Sequence, residues 1–200
     1  MKKYFWLLAT ALISCVTLMS CGSDDDETPT PNNLQSGDKT FNVYASAVLD
    51  KNLAEYGYME VTYTCQGKTE TFQLKKGDAS EKFPTADNFG VRVLSFAGSQ
   101  LGVSYTDDNF IIRNVQLKNL KMDESAVFKY KFVVAENRPE YTEKSDFVVP
   151  GVVGYATGSY SVVYSSLQFA KGLKVEQFES WLEKRTVERT LTFSPNQSQE

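Results

Sequence analysis

Apolar and polar residues alternate along most of the chain, and the segment from Met59 to Leu74 shows this most clearly. Apolar positions recur there at every second residue on both sides of Gln66-Gly67. A period of two predicts half-buried β-strands, and a two-residue turn containing glycine joins such strands into a hairpin. A turn at Gln66-Gly67 pairs Met59 with Leu74. The same register pairs Val61 with Phe72, so all four side chains lie on one face.

The same alternation predicts further strands, which are separated by turn residues. They are Phe41 to Ala47, Phe89 to Phe96, Phe110 to Leu117, Val127 to Val134, Asp146 to Val149, Tyr160 to Tyr164 and Val187 to Phe193. Within the last segment, Val187, Leu191 and Phe193 are expected to share one side of the strand. Cys65 falls on the apolar side of its strand, which indicates a small buried hydrophobe.

One segment, residues 173–185, has a helical period instead. Its apolar residues are three and four positions apart, which predicts an amphipathic helix whose stripe packs against the sheet: Val175, Phe178, Trp181 and Leu182. A shorter helical turn is expected between Asp50 and Glu55. Many short strands and a single helix predict a mainly β fold over residues 38–200, either an antiparallel β-sandwich or a partly open barrel.

The N-terminal segment has the pattern of a secretory signal peptide. Lys2 and Lys3 precede 16 uncharged residues, Tyr4 to Met19. A basic start followed by an apolar stretch predicts a cleaved signal over residues 1–20. The alternative is an uncleaved membrane anchor, but the apolar run is shorter than the roughly 20 residues that a helix needs to cross a bilayer.

Leu18-Met19-Ser20-Cys21 resembles the bacterial lipobox, and an acidic run follows it directly. Together they resemble the N-termini of surface lipoproteins of Bacteroidota. The resemblance implies lipid attachment at Cys21. Such an attachment would anchor the protein, because two or three acyl chains hold a protein firmly on a membrane. It also implies an outer-membrane location facing the cell exterior, with an export signal at Ser23, Asp24, Asp25, Asp26 and Glu27. A solvated spacer is the other interpretation of these acids, and the rest of residues 21–37 is expected to be a flexible tether.

The charge balance of the predicted domain argues against nucleic acid as a partner. The whole chain carries 21 basic and 25 acidic residues. Once Lys2, Lys3 and the four acids of Asp24 to Glu27 are set aside, 19 basic and 21 acidic residues remain. There is therefore no basic excess to neutralise phosphates.

Several classes of catalysis and metal binding are excluded by composition. The chain has no histidine and three cysteines, of which Cys15 lies in the predicted signal and Cys21 is the predicted lipid site. Triads with histidine and zinc sites with imidazole ligands are thus excluded. Cys65 alone cannot hold a metal, and no GxxxxGK[ST] phosphate loop is present. We expect no cofactor, no metal and no catalytic residues.

Carboxylates are the remaining candidates for chemistry. The densest acidic site beyond the N-terminal run is Asp107-Asp108-Asn109, between two predicted strands. Asp and Asn are good turn residues, so a turn is the favoured interpretation. The alternatives are a calcium-stabilised loop and a glycosidase-type acid, which needs a second carboxylate facing it.

Residues 151–164 combine three glycines with three tyrosines. Exposed tyrosines offer a flat apolar face and a hydroxyl at low entropic cost, as a sugar-stacking or adhesive loop requires. The candidate contacts are Tyr155, Tyr160 and Tyr164. The competing interpretation is that Tyr160 and Tyr164, four residues apart, lie on one face of a strand and pack in the core, with Tyr155 the most exposed of the three.

These observations favour a non-enzymatic surface module that binds a glycan or a protein, or that serves an outer-membrane uptake or fimbrial assembly. The main alternative is a carboxylate-dependent cell-surface hydrolase such as a glycosidase. A lipocalin-like carrier is a further alternative, and it would need an enclosed apolar cavity.

Overall fold

Strands are the most abundant secondary structure in the computed structural model, which describes residues 40–84, 89–141, 146–158 and 162–194. The strands are β1 (Thr40–Asp50), β2 (Gly57–Cys65), β3 (Lys68–Leu74), β4 (Phe110–Lys121), β5 (Ala126–Val134), β6 (Phe147–Val149), β7 (Gly151–Gly158), β8 (Val162–Ser165), β9 (Gln168–Ala170) and β10 (Arg189–Phe193). Two α-helices, α1 (Phe89–Leu101) and α2 (Val175–Arg185), accompany them.

The strands form two four-stranded antiparallel sheets. The first sheet has the order β4-β1-β7-β8 and the second has the order β10-β5-β2-β3, while β6 and β9 pair separately. Alternate residues of β1, including Val43 and Ala45, share one buried core with Val61 of β2 and Phe128 of β5. The fold is therefore mainly β, as predicted. Over the described residues it is a sandwich of two sheets, whose strand orders do not close into a barrel.

The hairpin predicted around Gln66-Gly67 is confirmed in its register. Met59 pairs with Leu74, Val61 pairs with Phe72, and all four side chains are buried. Gln66 and Gly67 have φ values of 49° and 71°. Positive φ at both central residues is what a type I′ turn requires, and this turn matches the twist of the strands that it joins. Cys65 is also buried, as expected.

The strand predicted from Phe89 to Phe96 is wrong, because this segment lies in helix α1. Leu94, Ala97 and Leu101 are buried at helical spacings of three and four. Leu94 and Ala97 pack on Val48, Ile112 and Val153, which belong to the outer face of the first sheet. The expectation of a single helix is wrong for the same reason.

The predicted C-terminal helix is confirmed as α2. Phe178 and Leu182 are buried beneath it, whereas Val175, expected in the same stripe, is exposed. The Phe178 ring stacks on Tyr141 with 3.9 Å between ring centroids, and it meets the Tyr56 ring edge-on at 4.9 Å. Such aromatic contacts hold α2 against the sandwich.

Several element boundaries differ from the predicted ones. The last strand begins at Arg189, so Val187 lies outside it with an exposed fraction of 54%. Leu191 and Phe193 of this strand pack in the core, as predicted. The turn predicted between Asp50 and Glu55 is present as a 3-10 helix at Leu53–Glu55. The glycine-rich segment that begins at Gly151 forms strand β7 in the middle of the first sheet.

Candidate binding face

Two tyrosines stack on the outer face of the first sheet. Tyr44 of β1 and Tyr155 of β7 are direct cross-strand partners. Their ring centroids are 5.1 Å apart with an interplanar angle of 17°, which is the offset-stacked arrangement that aromatic pairs favour. Both side chains are half-buried. The two rings therefore remain partly accessible to solvent while they contact each other.

Strand alternation explains why this pair faces outward. Successive side chains of a strand point to opposite faces, and the neighbours of Tyr44 on β1, Val43 and Ala45, belong to the core between the sheets. Helix α1 covers the part of the same outer face that contains Val48 and Ile112. The row that contains Tyr44 and Tyr155 lies beyond these covered positions.

Gly154 allows β7 to approach β1 closely beside this pair. A Cβ at residue 154 would lie 2.3 Å from the carbonyl oxygen of Tyr44 and 2.9 Å from the Cα of Ala45. Both obstacles are backbone atoms, so they cannot move aside as a flexible side chain could. The absence of a side chain at Gly154 therefore helps to fix the separation of the strands that carry the two tyrosines.

An amide lies next to the stacked rings. Gln116 of β4 is the cross-strand partner of Tyr44, and Val163 of β8 is the partner of Tyr155. The Gln116 side chain is exposed, and within the described ranges no hydrogen bond engages its amide. The row Gln116, Tyr44 and Tyr155 thus places one polar amide beside two aromatic rings. We call these three side chains the tyrosine face.

Asn114, two residues before Gln116, has a structural role instead. Its Oδ1 accepts a hydrogen bond of 2.7 Å from the Ser46 hydroxyl, and its Nδ2 donates one of 2.6 Å to the carbonyl of Lys82. The segment next to Lys82 also follows the edge of β4, since Glu81 N–H donates to the carbonyl of Ile112 at 2.9 Å. These bonds occupy an edge that would otherwise be open to another strand.

Of the three predicted tyrosine contacts, one lies on the tyrosine face. Tyr155 was expected to be the most exposed of them, and the structure pairs it with Tyr44. Tyr164 lies in β8 opposite Gly154, so the register does not place it in the row of Tyr155. Tyr160 lies outside the described residues, as do Cys21, Ser23, Asp24, Asp25, Asp26 and Glu27.

Tyr44 and Gln116 were not among the predicted contact residues. A signal for Tyr44 was present, because it is an aromatic residue at a polar position in the alternation of Phe41 to Ala47. Its partnership with Tyr155 depends on β1 and β7 being neighbours, and these strands are far apart in sequence.

The acidic segment Asp107–Asn109 forms a short 3-10 turn, as favoured. Asp107 forms an ion pair of 3.0 Å with Lys82. The hydrogen bond from Lys82 and its positive charge lower the pKa of Asp107. Within the ranges that the structure describes, no group of three or more potential metal ligands is present.

A second carboxylate, Asp50, was not singled out by the sequence. It is 2% exposed at the end of β1. Its oxygens accept hydrogen bonds from the backbone N–H groups of Asn52 at 2.9 Å and Val148 at 3.1 Å. Burial raises the pKa of Asp50, and these backbone hydrogen bonds oppose the shift. Asp50 therefore links β1 to the following turn and to β6.

Comparison with known proteins gave no relative. No family model, no curated protein sequence and no solved structure matches the chain. Among the helices that the structure describes, none has the length and apolar character needed to cross a membrane.

Proposed function

We propose that the protein is a lipid-anchored, non-enzymatic binding module displayed at the outer membrane, and that its tyrosine face binds glycans. The observation that carries the binding role is the stacked pair Tyr44 and Tyr155 on an outward sheet face. The support for anchoring is the resemblance of residues 18–27 to the N-termini of surface lipoproteins.

A sugar ring has an apolar face of C–H groups and a rim of hydroxyls. The half-buried rings of Tyr44 and Tyr155 offer apolar surface to the C–H groups, and tyrosine loses little entropy on binding because it has few rotatable bonds. The exposed amide of Gln116 has hydrogen-bond donors and an acceptor for the sugar hydroxyls. The sheet supports all three side chains on rigid strands, which limits the entropic cost of ordering them when a ligand binds.

The proposal is tested by measuring glycan binding of Tyr44→Ala and Tyr155→Ala. The full-length protein in mild detergent would be titrated with soluble β-glucan, α-glucan, mannan and xylan. We expect binding of at least one, and a loss of about tenfold in affinity for each variant, which corresponds to about 1.4 kcal/mol.

Tyr58→Ala is the matched control, because Tyr58 is a half-buried tyrosine on the outer face of the second sheet. Its replacement should leave affinity unchanged. Equal losses in all three variants, or no binding of any of these glycans by the unmodified protein, would refute the glycan-binding role.

The alternative of a carboxylate-dependent hydrolase requires two acids that face each other across a substrate, roughly 5 to 10 Å apart. Asp107 is paired with Lys82, and Asp50 is buried and bonded to backbone N–H groups. No contact among the described residues favours catalysis, so we propose no second function.

A further inference from the structure

Arg185 and Arg189, four residues apart in sequence, have no acidic partner among the described side chains. Arg185 is the last residue of α2 and Arg189 is the first residue of β10. Within the described part of the chain, the ion pairs involve other residues and neither of these arginines. The nearby carboxylate of Glu188 is paired with Lys129 at 3.6 Å. The two guanidinium charges therefore have no counter-charge among the described side chains.

The charges of Arg185 and Arg189 both act on Tyr130. Tyr130 is the cross-strand partner of Arg189, and its side chain is buried. Burial raises the pKa of Tyr130, and the charges of Arg189 and Arg185 both oppose that shift. Burial lowers the pKa of Arg185, and the charge of Arg189 lowers it further. The charge of the exposed Arg189 therefore acts on Arg185, which is itself partly buried.

Trp181 lies one helical turn before Arg185 on α2. The guanidinium carbon of Arg185 is 5.0 Å from the centroid of the Trp181 ring, which is a cation–π contact. The indole is held in place by Phe147, whose ring centroid is 4.9 Å away. The arginine is therefore positioned against a fixed aromatic surface.

Two buried N–H donors in this pair of side chains have no hydrogen-bond partner among the residues that the structure describes. They are the Nε1 of Trp181 and the Nε of Arg185. Buried donors are almost always paired, because an unpaired one loses its bond to water without replacement. Unpaired donors beside uncompensated positive charge call for an acceptor that is also negative.

We propose that Arg185, Arg189 and Trp181 form a binding site for an oxyanion, the carboxylate or phosphate group of a ligand. Such a group supplies the missing acceptors for the buried donors and neutralises the two cations. Guanidinium groups suit this role because their planar fork of donors matches both kinds of oxyanion. The site is independent of the tyrosine face, and the proposal does not depend on glycan binding.

Tryptophan fluorescence tests the proposal directly. The chain has two tryptophans, Trp6 in the predicted signal peptide and Trp181, so a Trp6→Phe background leaves Trp181 as the only tryptophan whether or not that segment is cleaved. The full-length protein in detergent would be titrated with inorganic phosphate and, separately, with acetate, against sodium chloride at equal ionic strength. We expect a saturable change in Trp181 emission with one or both oxyanions and none with chloride. The more effective of the two identifies the chemical group that the site prefers.

Arg189→Gln and Arg185→Gln should each weaken binding about tenfold or more, as expected for the loss of a charge-assisted hydrogen bond. Lys184→Gln removes the same charge from an exposed neighbouring position on α2 and should change affinity less than twofold. Because Arg189 is exposed, its replacement tests the site even if Arg185→Gln fails to fold. The proposal is overturned if Trp181 emission follows ionic strength alone, or if Lys184→Gln weakens binding as much as Arg189→Gln. It is also overturned if the emission change does not saturate at oxyanion concentrations up to about 10 mM, which is about ten times the dissociation constant of a weak, millimolar complex.

Discussion

At the scale of single residues, Asp50 shows how one buried carboxylate connects separate parts of the chain. It accepts hydrogen bonds from Asn52 in the adjacent turn and from Val148 in β6. Its pKa is raised because burial disfavours the charged form more than these bonds favour it. The folded state thus binds the Asp50 proton more tightly than the unfolded chain does, and this part of its stability falls as pH rises above the ordinary pKa of 3.8.

Asp50→Asn should destabilise the protein by about 1 to 3 kcal/mol, since the amide places an NH₂ group, which cannot accept, against one of the two backbone N–H groups that the Asp50 oxygens accept from. The difference in free energy of unfolding from the unmodified protein should be largest below about pH 4 and smaller at pH 7. Urea denaturation over this pH range measures it.

Asp107→Asn is the control with the opposite sign. The pKa of Asp107 is lowered by Lys82, so the contribution of this ion pair is present above the ordinary pKa of 3.8 and disappears as pH falls. The difference in free energy of unfolding between Asp107→Asn and the unmodified protein should therefore become smaller in acid. If the corresponding difference for Asp50→Asn also became smaller in acid, this would contradict a raised pKa for Asp50.

At the scale of elements, the hairpin of β2 and β3 was predicted in full and α1 was not. The hairpin depends on local information, because a turn of two residues sets the register of the strands on either side. The segment from Phe89 contains Val91 and Val93, and β-branched residues favour strands. Its buried residues Leu94, Ala97 and Leu101 follow the helical period. The segment is helical because packing on the outer face of the first sheet buries Leu94 and Ala97 together. The sequence of the segment alone does not show which surface it packs on.

Gly67→Ala should lower the free energy of unfolding by about 1 to 2 kcal/mol, because Gly67 has a φ of 71° and a Cβ is unfavourable in this left-handed region. Apart from Gly67 and its two chain neighbours, no heavy atom of the described residues lies within 4 Å of the position that a Cβ would take there, so the cost is conformational and not steric crowding. Thermal and urea denaturation of the variant measure it.

Gly67→Asn is the matched control for this turn. Asparagine tolerates the left-handed region better than alanine does, so its loss of stability should be the smaller of the two. If asparagine were as costly as alanine, or costlier, the penalty would have to come from something other than the backbone conformation.

At the scale of the whole molecule, the proposed attachment rests on Cys21. Cys21→Ala should move the protein from the outer-membrane fraction to the soluble fraction, because the acyl chains that would hold it on the membrane are attached to this residue. Cell fractionation followed by immunoblotting measures the distribution.

Cys65→Ala is the control for this change. Cys65 is a buried free cysteine of the sandwich, so its replacement should leave the protein in the membrane fraction. A Cys21→Ala variant that remains with the outer membrane would show that something other than lipid attachment holds the protein there.

The sequence by itself determined the mainly β class, the hairpin register, helix α2 and the turn at Asp107–Asn109, because each follows from a local period or from turn chemistry. It also singled out Tyr155 as a candidate contact. Only the tertiary structure decided that the sheets form a sandwich, that α1 is a helix, and that Tyr155 stacks on Tyr44 beside Gln116. The physical reason is that these features arise where strands distant in sequence become neighbours, and no local pattern records which strands those are.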